Sequence, residues 1–193
     1  MMKRERQKKQ TRILLQQTAL QLFQKQGYEQ TTVLQITNEA GVAKGTFFNY
    51  FRTKEEVLHS VFFSHIERIC EKMMNDNNDW RQKIDRVFYE LATMHEQLGR
   101  EVAKAVLHIY TGKTKEGHCL APLHDVLTRL FEEGKRSGHV RAKQSAAALA
   151  HIAMQLYVGA LHLWMFSYVT ESLATFMTNA WNMFAHYIEK EGD

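Results

Sequence analysis

The sequence contains few of the residues that interrupt helices. Of its 193 residues one is proline and ten are glycine, well below the roughly 12% that these two types make up in average proteins. Sandwiches and barrels need many turns, which are rich in both residues, so the shortage argues against these all-β folds. No segment alternates convincingly between apolar and polar residues, and 45% of the chain is hydrophobic. Composition and apolar spacing together predict an all-α protein of about nine helices.

Cysteine is also scarce. The two cysteines, Cys70 and Cys119, are far apart and form no CxxC pair, so neither a disulfide framework nor a zinc cluster is expected. The densest group of metal-binding residue types, His118, Cys119 and His124, lacks the spacing of a metal site. The basic N-terminus is not followed by the apolar stretch of a secretory signal. We therefore expect a cytoplasmic protein that binds no metal and no cofactor.

Charge is missing from one long segment, residues 144–170, which contain no Asp, Glu, Lys or Arg. At about 1.5 Å per residue, a helix of this length is long enough to cross a bilayer. The segment nevertheless holds polar residues, among them His151, Gln155 and His162, and the chain has no second segment of this kind. Two interpretations stay open: a helix buried in an oligomer interface without a membrane partner, which we favour, and a membrane-attached helical protein.

The charges that are present are unevenly distributed. Residues 1–54 hold ten basic and three acidic residues, a net charge of +7, whereas residues 55–193 hold 15 basic and 18 acidic residues, a net charge of −3. A basic segment joined to a mildly acidic one is typical of a nucleic-acid-binding module attached to a second domain. We therefore predict a DNA-binding domain over 1–54 and a second domain over 55–193. A solvated basic helix is the alternative explanation for the charge.

The apolar spacing within residues 1–54 predicts a helix-turn-helix. A long helix over residues 3–26 precedes two short ones over 33–40 and 43–51, and Gly41 permits a turn with positive φ between them. The residues expected to pack inward are Val33, Ile36, Ala40, Val42, Phe47 and Phe51. The opposite face of the second short helix presents Lys44, Gly45, Thr46, Asn49 and Tyr50.

Such a polar face has the groups needed to contact base edges and phosphates in the major groove of DNA. A hydrolytic enzyme would need paired carboxylates or a nucleophile beside a base, and the sequence offers neither arrangement. It also offers no phosphate-binding loop. We therefore expect a double-stranded DNA-binding protein rather than an enzyme.

Two runs in this region, GYEQTTVLQI over 27–36 and AGVAKGTFFNYFRTKE over 40–55, resemble the DNA-binding domain of TetR-family transcriptional regulators. The resemblance covers roughly residues 10–60. It implies that Thr32 and Lys54 meet phosphates at helix starts, that Tyr50 also contacts a phosphate, and that the face over 44–49 meets bases and nearby phosphates.

This sequence departs from the family pattern at three positions. Ala43 stands where Ser is common, so the cap of the second short helix is expected to be weak. Leu34 replaces a common Arg, and Phe48 replaces a common Tyr, so each loses a polar group that could contact DNA. The basic residues over 3–12 have two open interpretations: extra phosphate or minor-groove contacts, or a solvated tail.

The resemblance further implies a C-terminal helical domain that forms a homodimer and often encloses a ligand. A pair of recognition helices about 34–36 Å apart would match a pseudo-palindromic operator. The candidate dimer residues lie on the last two predicted helices: Ala148, Ile152, Leu156, Gly159, Leu163, Phe176, Ala180, Phe184 and Tyr187. The alternative for these residues is a core within one chain.

The ligand candidates are large residues on the central helices: Trp80, Phe88, Met94, Tyr110, Met154, Tyr157, His162 and Trp164. Such residues would suit a small apolar or aromatic ligand, although ordinary core packing explains the same pattern. The sequence therefore predicts a ligand-responsive regulator, most simply a repressor that leaves its operator when ligand binds.

Overall fold

The computed structural model describes residues 2–111 and 120–190, which form nine α-helices and no strand. The helices are α1 Met2–Gln26, α2 Val33–Glu39, α3 Lys44–Phe48, α4 Lys54–Met74, α5 Trp80–Leu98, α6 Arg100–Thr111, α7 Ala121–Arg136, α8 Ala146–Met165 and α9 Leu173–Lys190. The all-α prediction is confirmed. His118 and Cys119, named above as the densest metal-ligand group with His124, lie outside the described residues, as does the side chain of Tyr110.

The chain divides into two compact units. Within the described residues, the first unit comprises 2–64 and 101–111, and the second comprises 65–100 and 120–190. The division falls inside α4, after Ser64, and α6 joins the N-terminal unit. The predicted boundary at residue 54 was based on charge and motif rather than on packing, and as a functional boundary it stays a prediction.

The first unit is organised by local signals at the ends of its short helices. Gly27 ends α1 with φ 91°, and Gly41 has φ 65° in the turn between α2 and α3, as expected for a position that disfavours a β-carbon. Thr32 begins α2 with a capping box: its side chain accepts the Gln35 N–H, and the Gln35 side chain accepts the Thr32 N–H. The core that these elements enclose contains Leu15, Phe23, Ile36, Phe47, Phe51 and Leu58, all essentially inaccessible to solvent.

The second unit is a bundle in which α8 packs against α7 and α9, and α5 packs against α7 and α9. Asp79 and Ser145 cap α5 and α8 through their side chains. The core is rich in aromatic rings, with Trp80 next to Phe131 and Phe88 next to Trp181 at ring-centroid distances of 6.2 and 5.4 Å. Buried aromatic area of this kind contributes much of the stability of a small helical bundle.

Helix α8 is the one described helix that is long and apolar enough to cross a membrane by length and composition. Nine of its residues are buried against its neighbours in the second unit, and residues at its opposite face stay accessible. Core helices of soluble proteins pass the same test, so its length and composition do not favour the membrane-attached alternative.

Candidate nucleic-acid interface

Helix α3 is a short helix held by one apolar side. Phe47 is fully buried, and its ring lies 5.8 Å from that of Phe51. The N-cap residue Ala43 makes no side-chain capping bond, which confirms the weak cap expected where Ser is absent. Burial of Phe47, rather than capping, therefore keeps α3 in place.

The opposite side of α3 carries the predicted DNA-contact residues together. Lys44, Gly45 and Asn49 are exposed, and Thr46 and Tyr50 are half-buried. Leu34 and Phe48, the positions that depart from the family pattern, are 53% and 50% exposed. They present apolar surface beside the polar face. The arrangement provides an ammonium, an amide and two hydroxyls on one accessible surface, which suits contacts to bases and phosphates.

Lys54, predicted by resemblance to meet a phosphate, contacts the loop between α1 and α2. Its Nζ donates hydrogen bonds to the carbonyl oxygens of Tyr28 and Glu29, at 2.8 and 3.3 Å, and lies 4.3 Å from the centre of the Tyr28 ring. Its side chain is only 18% exposed. Burial, together with the neighbouring Glu55 and Glu29 carboxylates, raises the pKa of the Tyr28 hydroxyl far above its usual value. In this conformation Lys54 fastens a loop, and its phosphate contact stays a prediction.

Thr32 lies at the start of α2, as the resemblance implies, and it is exposed. Its hydroxyl is 3.2 Å from the Gln35 nitrogen that it caps. The same residue therefore fixes the first turn of α2 and stays accessible to an anion.

The structure adds a feature that the sequence interpretation did not specify. A groove of about 880 Å³ separates the first turns of α1 from α3. Its lining residues are Arg4, Glu5, Gln7, Lys8, Thr11, Thr46, Asn49 and Tyr50. The spacing of Arg4, Lys8 and Arg12, four residues apart, was the signal that these cations share one helix face. The predicted tail is thus a helical wall beside the recognition helix.

The ligand candidates mostly lie in the core of the second unit. Trp80, Phe88, Met94, Tyr157 and Trp164 are buried, each at 7% exposure or less. Met154 is half-buried and His162 is exposed. The five buried residues therefore lie in one packed interior, whereas His162 faces away from it, and a ligand-contacting role for any of them stays a prediction.

A buried polar pair lies within this core, and the candidate residues above include only one of its members. His95 on α5 and Tyr157 on α8 are both fully buried, with 2.7 Å between the His95 Nε2 and the Tyr157 hydroxyl. Burial lowers the pKa of His95 to about 3. The ring is therefore neutral at physiological pH, and the pair can exchange a hydrogen bond without burying a charge.

The dimer candidates share an uncovered face of α8 and α9. Gly159, Leu163 and Tyr187 are exposed. The half-buried members are Ala148, Ile152, Leu156, Phe176, Ala180 and Phe184. Met183 continues the same surface with 77% exposure. An apolar face of this extent is typical of a protein–protein contact, and its use in dimerisation stays a prediction.

The comparisons with known proteins point to one family. Residues 15–61, from α1 into α4, match the family described as bacterial regulatory proteins, tetR family. The fatty acid metabolism regulator protein of Bacillus subtilis (strain 168) is 33% identical over 86 residues, covering 45% of this chain and 39% of that protein. Curated relatives are matched over only 21 to 39% of their own length.

Solved structures resemble nearly the whole chain. The fatty acid degradation regulator FadR from Bacillus halodurans has a TM-score of 0.73 at 21% identity, covering 91% of this chain and 94% of that one. FadR from Bacillus subtilis in complex with stearoyl-CoA has a TM-score of 0.72 at 18% identity, covering 94% and 99%. At these identities the likeness shows the fold, a helix-turn-helix followed by a helical domain. Together with the match over α1–α4, it assigns the chain to the TetR family of bacterial transcriptional regulators.

Proposed function

We propose that this protein is a ligand-responsive transcriptional regulator, most simply a repressor, that binds double-stranded DNA through α3. The observation that carries the proposal is the accessible polar face over residues 44–50, held in position by the buried ring of Phe47. A major groove admits a helix of this kind, and the net charge of +7 over residues 1–54 favours a polyanionic partner.

The proposed DNA-binding form is a homodimer joined through α8 and α9. The uncovered apolar surface on these two helices, with Leu163, Met183 and Tyr187 exposed, supports association with a second copy of the chain. A two-fold symmetric dimer would present two α3 helices to half-sites about one DNA turn apart, so the operator would be a pseudo-palindrome.

The proposed ligand is apolar, and an acyl-CoA is the first class to test. The core of the second unit is aromatic and contains one neutral polar pair, His95 and Tyr157, which could orient a polar group of a bound ligand. A fatty acid metabolism regulator is among the relatives, and a FadR of similar fold binds stearoyl-CoA. Ligand and DNA would then favour different conformers, so each would weaken the binding of the other.

DNA from beside the gene for this protein, titrated with purified protein in a fluorescence anisotropy assay, tests the proposal. We expect salt-sensitive binding that the double variant K44A/Y50F reduces at least tenfold, because it removes an ammonium and a phenol from the α3 face. The control K143A/Y89F deletes the same groups from exposed positions of the second unit and should leave affinity unchanged. Equal losses in both variants, or no binding at all, would refute the proposal.

The ligand is tested by adding lauroyl-CoA, lauric acid or CoA alone to the preformed complex. Release of DNA by lauroyl-CoA but not by CoA would support an acyl-chain ligand. Indifference to all three would remove the acyl-CoA class while leaving the DNA-binding proposal intact.

A further inference from the structure

We propose that the groove between α1 and α3 holds the sugar–phosphate backbone of DNA, so that α1 is a second phosphate-binding element beside the recognition helix. This inference rests on the proposed DNA-binding function and specifies one part of its interface. It also chooses between the two interpretations of the basic N-terminal residues.

The first line of support is that these basic residues belong to a helix. Helix α1 begins at Met2, so Arg4 and Lys8 are one turn apart, about 6 Å along the helix axis. Both line the groove, and both are exposed. One DNA strand carries a phosphate for about every 3.4 Å of duplex axis, so two cations at this spacing fit a backbone better than a single small anion.

The second line of support is the composition of the opposite wall. Thr46, Asn49 and Tyr50 line the groove from the side of α3, and they supply two hydroxyls and an amide. These side-chain types, together with Arg and Lys, make most protein contacts to DNA phosphates. The groove is therefore lined on both sides by suitable donors.

The third line of support is that the two walls are connected. The Arg12 guanidinium lies 4.5 Å from the centre of the Phe51 ring, and its Nη1 is 3.4 Å from the Tyr50 carbonyl oxygen. Further along α1, the Gln16 amide donates a 2.9 Å hydrogen bond to the Ser60 hydroxyl on α4. These contacts set the position of α1 before DNA arrives, so its cations need little reorganisation on binding.

Helix α1 also offers a matched control. Arg6 and Lys9 are exposed cations of the same two types, but they do not line the groove. At about 100° per residue they lie at least about 100° round the helix axis from Arg4 and Lys8. The variants R4Q/K8Q and R6Q/K9Q therefore remove the same charge from the same helix at different faces.

The test measures operator affinity of the full chain between 50 and 200 mM salt for both double variants. Two lost phosphate contacts reduce the slope of log K against log salt by about 1.8, which makes the loss of affinity across this range about 12-fold smaller. We expect this change for R4Q/K8Q and a clearly smaller one for R6Q/K9Q. Circular dichroism at 222 nm confirms that α1 stays helical, because Gln is about as good a helix former as Lys and Arg.

Glu5 supplies a test of opposite sign. Its carboxylate also lines the groove and would repel a phosphate there. E5Q should therefore raise affinity roughly 1.5- to 5-fold, the range expected for one exposed charge interaction.

The outcomes separate this inference from the function on which it rests. Equal effects of the two double variants, or no gain from E5Q, would overturn the groove assignment and leave only a general attraction to basic residues. Loss of binding in K44A/Y50F alongside such a result would still support the proposed function. No operator binding by the unmodified protein would refute both.

Discussion

Substitution of Gly134 by alanine tests the packing of the second unit, because this glycine lies inside α7 in contact with two distant side chains. An added β-carbon would lie 2.6 Å from Val140 Cγ2 and 2.9 Å from Trp80 Cδ2, whereas carbon atoms pack best at about 3.5–4.0 Å. Val140 cannot easily withdraw, since its N–H and that of His139 both donate to the Gly134 carbonyl oxygen at 3.0 Å. The Trp80 ring is buried beside Phe131.

Two effects oppose each other in G134A. Replacing glycine by alanine inside a helix stabilises it by about 1 kcal/mol, whereas overpacking a core costs about 1–3 kcal/mol. Because two neighbours are too close and one is pinned by the backbone, the steric cost should exceed the gain, and we expect a net loss of about 1–2 kcal/mol. For a chain of this size that corresponds to a decrease in Tm of roughly 2–8 °C.

The assay is urea unfolding followed by circular dichroism at 222 nm, at one protein concentration for all variants. Gly159 in α8 is the control, because its added β-carbon would meet nothing within 4 Å and G159A should be neutral or stabilising. Combining G134A with V140A should cost less than the sum of the two single changes, since the shortened side chain removes the closest contact. A G134A variant as stable as the unmodified protein would refute the steric argument.

Three further predictions concern other residues. Because burial lowers the pKa of His95 from 6.5 to about 3, the unfolded chain binds a proton that the folded one rejects; the free energy of unfolding should therefore fall as pH decreases from about 6.5 towards 3, and H95Q should weaken this dependence in acid titrations. K54M keeps the side-chain length but loses both hydrogen bonds to the α1–α2 loop, so urea unfolding should show a loss of about 1–2 kcal/mol, and an unchanged midpoint would contradict the fastening role. M183E places a charge on the uncovered α8–α9 face and should shift the protein towards a monomer in sedimentation velocity; an unaltered oligomeric state would remove this face from the dimer interface.

Local structure was largely predictable from the residues. The turn at Gly41, the capping of α2 by Thr32 and the burial of Phe47 depend on interactions within a few residues or on the 3.6-residue period of a helix. For the same reason the α3 face over residues 44–50 was identified correctly as accessible and polar. Its contacts with DNA stay a prediction.

Glycine 134 illustrates where local reasoning failed. The sequence suggested that this residue and Gly138 close α7, yet the helix continues through Gly134 to Arg136, and only Gly138 has the positive φ of a terminating turn. What requires glycine at position 134 is the approach of Trp80 from α5 and of Val140 from the following loop. Spacing along the chain carries no signal of that approach.

The sequence by itself determined the helical class, the helix-turn-helix and the concentration of positive charge over residues 1–54, because periodicity, end signals and charge are local properties of the chain. Tertiary structure decided which surfaces those residues form. It directs the Lys54 ammonium into the loop at Tyr28, and it sets Arg4 and Lys8 across a groove from Tyr50. These placements depend on how α1, α3 and α4 pack against one another, and packing between helices is determined by side chains that are far apart in the sequence.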